Sequence, residues 1–353
     1  MFRRGNGMAG KAQGRQSRMP ALMAAGVAAA LAATGLGLWA TDSGPFRDTY
    51  CWGAWQQDSG PEFLGEGALA RSGAERRATE SAPPSADEPH GTCTVEVAST
   101  DVRATFHRKL VLEYGAVPAG ARERQAWIAR YLHGSASPLP DELPGFAAGD
   151  RAVLVLPSSC DVEGRPAAVT IRTERDRGGG FDIGPRIEVA GMLLAAARTA
   201  AREAGCAPAA PAAMSSPMVK VAGKDELAGT PLCRIPGLVF EFGKTASYEE
   251  QVGVVGDRLQ TCSVWSVRGQ VQDEPAAQFV MAGEPRIAAL FEGLPEGVDR
   301  GLVRTVCDGR RTVFYGRVEP GLQGRGRPGD RQVFENFVAS VSKRIGCGAG
   351  GGA

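Results

Sequence analysis

The sequence predicts an α+β fold: an N-terminal transmembrane helix followed by two similar disulfide-stapled modules, each a small antiparallel sheet with a long C-terminal helix packed on it. Three observations lead there. A Cys-Asp that opens a strand-like run, closed by a helix ending in Gly-Cys, occurs twice, as Cys160-Asp161 to Gly205-Cys206 and as Cys307-Asp308 to Gly346-Cys347. The other four of the eight cysteines align as Cys51 with Cys233 and Cys93 with Cys262. Each half also orders its elements as strand, strand, helix, strand, strand, long helix, a pattern that buries one sheet face under the closing helix.

Residues 1–20 hold Arg3, Arg4, Lys11, Arg15 and Arg18 and no acid, while residues 21–40 carry no charge. Twenty helical residues rise about 30 Å, the thickness of a hydrocarbon core. The basic flank keeps the N-terminus in the cytoplasm, and Trp39 suits the outer interface. Residues 1–20 are therefore expected to be a cytoplasmic tail and 21–40 a single spanning helix, which places the C-terminus outside. A cleaved signal peptide would have a shorter apolar core and an A-x-A-like site, which Leu38-Trp39-Ala40 matches poorly.

The first extracytoplasmic module is expected at 41–206. Residues 65–91 are polar and rich in Gly, Ala, Ser and Pro, and read as a mobile loop. Thr92 to Val97 alternates as a strand, and Val102 to Leu112 continues extended with Phe106, Leu110 and Leu112 on one face. Arg122 to Leu132 reads as a helix with Trp127, Ile128, Tyr131 and Leu132 on one side, stopped by Gly134. Ala152 to Pro157 and Ala167 to Arg172 are strands, followed by a Gly-rich connection. Ile187 to Ala204 is a helix with Ile187 and Leu194 toward a core and Gly205 as its C-cap.

A Pro/Ala-rich linker is expected at 207–230 and the second module at 231–347. Pro236 to Phe242, Gln260 to Val267, Leu302 to Cys307 and Thr312 to Val318 read as strands, and Pro285 to Phe291 as a short helix. Arg331 to Ile345 is a helix whose Val333, Phe334, Phe337, Val338, Val341 and Ile345 repeat at core spacing. Residues 348–353 form a disordered tail.

Eight cysteines shared equally between two halves of an exported chain indicate disulfides. Four cysteines admit three pairings in each half; matching positions favour Cys51–Cys93, Cys160–Cys206, Cys233–Cys262 and Cys307–Cys347. Bonds closing 46- and 40-residue loops contribute about 3–4 kcal/mol each on the chain-entropy model. No CxxC knuckle is present, so no metal site is expected.

The chain has 40 basic and 39 acidic residues; without the five basic residues of 1–20, 35 stand against 39, a net charge of −4. That argues against nucleic acid as a partner. The three histidines, His90, His107 and His133, show no HExxH spacing, and there is no GxSxG or SxxK. Ser158-Ser159-Cys160 is a polar approach to a disulfide. Asp141/Glu142 and Glu249/Glu250 are adjacent pairs whose side chains diverge, unlike an acid/base couple. Gly324 to Gly329 fits GxGxxG, but Pro328 removes an amide that a phosphate would need, so it reads as a hairpin-to-helix loop. No catalytic residue and no cofactor are expected. Tyr50, Trp52 and Trp55 around Cys51 are a candidate contact surface for wall glycan or a partner protein, with packing against the disulfide as the competing role.

The layout resembles the uncharacterised single-pass membrane proteins common in Streptomyces and related actinobacteria. The resemblance rests on the basic tail with its Ala-rich anchor, Asp48-Thr49-Tyr50-Cys51-Trp52-Gly53, Gly91-Thr92-Cys93, and the helix ends Ala204-Gly205-Cys206 and Ile345-Gly346-Cys347. It implies an architecture and carries no activity with it. The functional expectation is a membrane-anchored extracytoplasmic binding or scaffold protein of the cell envelope, its partner another envelope protein or a wall ligand. The alternatives are an envelope hydrolase, which needs a cleft with convergent acids or a Ser/His pair, and a ligand-sensing ectodomain that signals through a cytoplasmic partner. Any binding specificity is expected in the 65–91 and 176–184 loops.

Overall fold

A computed structural model describes residues 49–58, 60–70, 73–101, 104–176, 179–206, 213–218, 225–226, 231–235, 248–266, 275–318 and 329–347. The 1–20 tail, the 21–40 segment, the Pro236 to Phe242 strand, the GxGxxG loop before Gly329 and the 348–353 tail lie outside these residues, as does most of the 207–230 linker. Among the described residues no helix is long and apolar enough to cross a membrane.

Strands dominate. β1 (Thr49–Tyr50) and β2 (Trp55–Gln56) pair as a short ribbon. β3 (Glu75–Glu80), β4 (Gly91–Asp101), β5 (Ala104–Ala116), β6 (Ser137–Pro138), β7 (Gly145–Ala147), β8 (Arg151–Val155) and β9 (Ala167–Arg175) form a seven-stranded sheet in the order β3-β4-β5-β9-β8-β7-β6. β10 (Asp225–Glu226), β11 (Tyr248–Val255), β12 (Leu259–Ser266), β13 (Ala277–Ala282), β14 (Leu302–Cys307) and β15 (Arg310–Val318) form a six-stranded sheet in the order β10-β11-β12-β13-β15-β14. All pairings are antiparallel. The helices among the described residues are α1 (Ala121–Tyr131), α2 (Arg186–Glu203), α3 (Pro285–Ala289) and α4 (Asp330–Arg344).

This corrects the predicted α+β class. The protein is not a duplicated module of one small sheet under one helix; it is mostly β, with two unequal sheets that share a core. One apolar cluster lies between α2 and the seven-stranded sheet, and a second between α4 and the six-stranded sheet. A third joins Ile128, Tyr131, Leu132, Phe146 and Val153 of the first half to Val280, Ile287, Leu290, Phe291, Val313 and Tyr315 of the second. Asp48–Ala353 accordingly forms one compact unit.

Polar bonds cross the shared core as well. The Arg124 guanidinium, 4% exposed, donates to the carbonyls of Leu290 and Glu292 at 3.2 Å each. Burial, then the charge of Arg165, lowers its pKa. Gln278 Nε2 donates to the Leu132 carbonyl at 2.8 Å, and Arg286 reaches both Asp161 carboxylate oxygens at 2.5 and 3.1 Å. Gly134, expected only as a helix stop, is demanded by this junction: a Cβ there would lie 1.9 Å from the Gln251 carbonyl oxygen of β11.

The unforeseen strands have identifiable causes. Ala277–Ala282 is buried at every position, so it lacks the alternation that betrays a half-buried strand. Glu75–Glu80, inside the expected mobile loop, has no large apolar residue; it survives as an edge strand paired to β4, where charge is tolerated. Ile187, expected toward the core, is 47% exposed at the first turn of α2, and Phe106 is 40% exposed where β5 runs past the core.

All eight cysteines are paired, as Cys51–Cys93, Cys160–Cys206, Cys233–Cys262 and Cys307–Cys347. Both Gly-Cys helix ends are Schellman caps. Gly205 and Gly346 take φ of +66° and +69°, and the next amides, of Cys206 and Cys347, donate to the carbonyls of Ala201 and Ser342. The cap turns each cysteine back toward the body, which is why glycine precedes it.

Candidate functional site

Side chains alternate across a strand, so each face of the seven-stranded sheet has its own composition. Leu110, Leu112 and Tyr114 of β5 and Val169 and Ile171 of β9 point into the cluster under α2. The intervening residues point the other way, toward the side that carries α1. There α1 covers the sheet around β8, and the part over β4 and β5 lies open.

That open part is written in charges. Register sets Glu113 opposite Thr170, Val111 opposite Arg172 and Lys109 opposite Glu174. Arg172 donates to Glu113 Oε1 at 3.1 Å and pairs with Glu174. Glu96 meets His107 Nδ1, with Lys109 Nζ 4.0 Å away. Each acid of this ladder thus has a cationic or histidine neighbour, and the face presents hydrogen-bonding groups with little net charge.

The rim comes from α1 and two loops. Trp127, half-buried, stands over the face with its ring 5.0 Å from that of Tyr131. A cleft of about 420 Å³ runs from Pro89 and His90 past Glu113 and Thr170 to Trp127 and Arg165. Beyond the Glu113–Arg172 pair a hollow of about 250 Å³ continues between Arg130, Asp150, Glu174 and Gly179. The end of the 65–91 segment therefore borders one end of the face and the 176–184 loop the other.

Electrostatics inside the face follow from burial and pairing. Burial disfavours ionisation of Asp150, but the hydrogen bond and charge of Arg151, 2.6 Å away, outweigh it and hold the carboxyl below the usual range. Burial pushes the Tyr131 hydroxyl up, against a hydrogen bond to Thr170 that pulls it down. Trp127 over a charge-paired polar floor suits a ligand offering a flat apolar patch and several hydroxyls or amides.

The candidate aromatic surface lies elsewhere and does not form one exposed face. Tyr50 and Trp55 are 5% and 1% exposed, and the Trp55 indole donates to the Met192 carbonyl at 3.0 Å. Trp52 is half-buried, its indole donating to Ser81 O at 3.1 Å. These rings pack the first strands against Cys51–Cys93.

His133 does meet Ser135 Oγ, the kind of pair a hydrolase would need. The residues are two apart, the same ring nitrogen accepts from the Ser135 amide, and the ring is buried edge-on to Trp265, so the contact shapes a turn. Cys233, Glu250 and Cys262 have metal-ligand proximity, yet the two sulfurs are bonded to each other. Asp141 and Glu142 diverge: Asp141 accepts from Ser216 Oγ and the Ser215 amide, both at 2.6 Å, and Glu142 meets Arg258 at 3.4 Å.

The sequence reading missed Glu113, Arg172, Glu174 and Trp127 as site residues. A usable signal existed: with Leu110 and Leu112 on one face, Lys109, Val111 and Glu113 had to occupy the other. No family model, curated protein or solved structure matches this chain.

Proposed function

We propose that this chain is a membrane-anchored extracytoplasmic binding protein of the cell envelope, and that its ligand is a hydroxyl- and amide-rich wall glycan lying along the open face of the seven-stranded sheet. The observation that carries the reading is the cleft that Trp127 and Glu113 line together, from which the charge-paired Glu113–Arg172–Glu174 ladder leads to the adjoining hollow, with one of the two loops expected to set specificity at each. Four disulfides support export to an oxidising compartment. The charge-free 21–40 segment supports the anchor.

A near-neutral face favours an uncharged or zwitterionic ligand over a polyanion, because a polyanion would meet Glu96, Glu113 and Glu174 without a cationic excess. The test is co-sedimentation of the full-length protein, in a mild detergent, with purified peptidoglycan. The expected result is saturable binding that Trp127→Ala weakens about tenfold or more, as for an aromatic anchor. Glu113→Gln should weaken it less. Binding unchanged in both variants, or none at all, contradicts the reading.

A further inference from the structure

The six-stranded sheet leaves a second concavity, unrelated in character to the first. α3 is only five residues long, so β14 and β15 extend past its cover. The result is a groove of about 760 Å³ whose floor includes Ala288, Ala289, Val306 and Val313. Val306 is 55% exposed, the most exposed large apolar side chain among the described residues. A groove of this size is within the range that holds a small molecule, and apolar lining is what such sites use.

Its rim is basic. Arg258, Arg304, Arg310 and Arg311 line it, with Glu292 as the single carboxylate. Arg258 pairs with Glu142 at 3.4 Å, Arg304 with Glu296 at 2.8 Å and Arg310 with Asp308 at 3.5 Å. Arg311, in the β14–β15 ladder opposite Val306, is exposed, and its guanidinium has no hydrogen-bond or ion-pair partner among the described residues. An unpaired guanidinium presents a planar fork that matches a carboxylate bidentately.

The backbone narrows the choice of occupant. β14 is the edge strand, but Leu302 already bridges Gly297, the Arg304 amide donates to Glu296, and Cys307 bridges Cys347. An added peptide strand would find few free partners on that edge. Whatever sits here is held by side chains, through an apolar body and one anionic end.

We propose that this groove binds a medium-chain alkyl carboxylate, its alkyl chain on Ala288, Ala289, Val306 and Val313 and its carboxylate on Arg311. With Arg258, Arg304 and Arg310 each matched by a carboxylate, Arg311 supplies the available positive charge at the rim, which disfavours a neutral or cationic amphipath of equal length.

The test is titration calorimetry on the full chain in nanodiscs of zwitterionic lipid, with empty discs as the blank. The probes are octanoate, decanoate, dodecanoate and decanol. Expected are one-to-one binding, roughly tenfold tightening for each added pair of methylenes, and decanol at least tenfold weaker than decanoate. Arg311→Gln should erase the preference for acid over alcohol, and Ala289→Trp, which fills the floor, should abolish binding of both. The proposal is overturned if no probe binds saturably, if decanol equals decanoate in the unaltered protein, or if Arg311→Gln keeps the acid preference. It is equally overturned if Val306→Asp dissociates a dimer that decanoate does not disturb, since a second copy would then be the occupant.

Discussion

The two sheets each leave part of a face uncovered beside a helix, and the two faces are written in opposite ways. Beside α1, the exposed stretch of the seven-stranded sheet carries Glu96, Lys109, Glu113, Arg172 and Glu174, whose charges are internally paired. Beside α3, the exposed stretch of the six-stranded sheet keeps Val306, which lines a groove with the α3 alanines under arginines of which Arg311 is unmatched among the described residues. A paired polar face is already comfortable in water, so it recognises a ligand by an aromatic ring and hydrogen-bond geometry. A groove of apolar side chains beside an unmatched guanidinium instead offers area to cover and a charge that can take an anion without breaking an existing ion pair. Helix length makes the difference: eleven residues in α1 and five in α3.

Both faces depend on the shared core that holds the sheets together, and the largest expected effect breaks that dependence. Phe291 is fully buried between the sheets, and Phe291→Ala should cost about 3–5 kcal/mol. Urea unfolding of Asp48–Ala353 within the full chain should remain a single transition. Two separated transitions would mean that the faces belong to independent domains.

Next come the staples. Replacing both cysteines of Cys160–Cys206 or of Cys307–Cys347 by alanine should cost about 3–4 kcal/mol each. Near-equal losses measured by the same unfolding would sharpen the comparison, since the two sheets then differ in their faces and not in how they are secured. A negligible loss for either pair would show its helix end to be held by packing alone.

Ligand recognition should separate the faces. Trp127→Ala should weaken peptidoglycan binding about tenfold and leave decanoate binding unchanged. A matched loss of both would place the two ligands in one site.

The smallest effect concerns Asp141, whose hydrogen bonds from Ser216 and Ser215 lower its pKa to about 2 from 3.8. A depressed folded value means that the contact is fully present above about pH 4. It is lost as pH falls toward 2, with the unfolded carboxyl binding its proton first. The protection of residues 213–218, taken relative to intrinsic exchange at each pH, should fall over that window, and Asp141→Asn should lower it at neutral pH. Protection independent of pH in the unaltered protein would show that other contacts hold the segment.

The sequence was most legible where local chemistry and tertiary role coincide. Gly205-Cys206 and Gly346-Cys347 announce helix ends because glycine takes the left-handed cap that delivers the cysteine without a Cβ penalty. Leu110 and Leu112 announce a face by alternation. It was least legible where burial is two-sided or context decides. Ala277–Ala282 lost its alternation to burial on both faces, and Glu75–Glu80 exists as a strand only because β4 offers it an edge. Tyr50 and Trp55 read as a contact surface or as packing, and only the three-dimensional position of α2 settled them in the core. The ladder of Glu113, Arg172 and Glu174 joins residues some 60 positions apart, which no local pattern brings together.

Hydrogen–deuterium exchange of the full chain with and without soluble peptidoglycan fragments tests the account most directly. Protection concentrated in residues 107–115 and 124–131, with 285–311 unchanged, is the predicted result. Protection confined to 285–311, or none in either region, would contradict it.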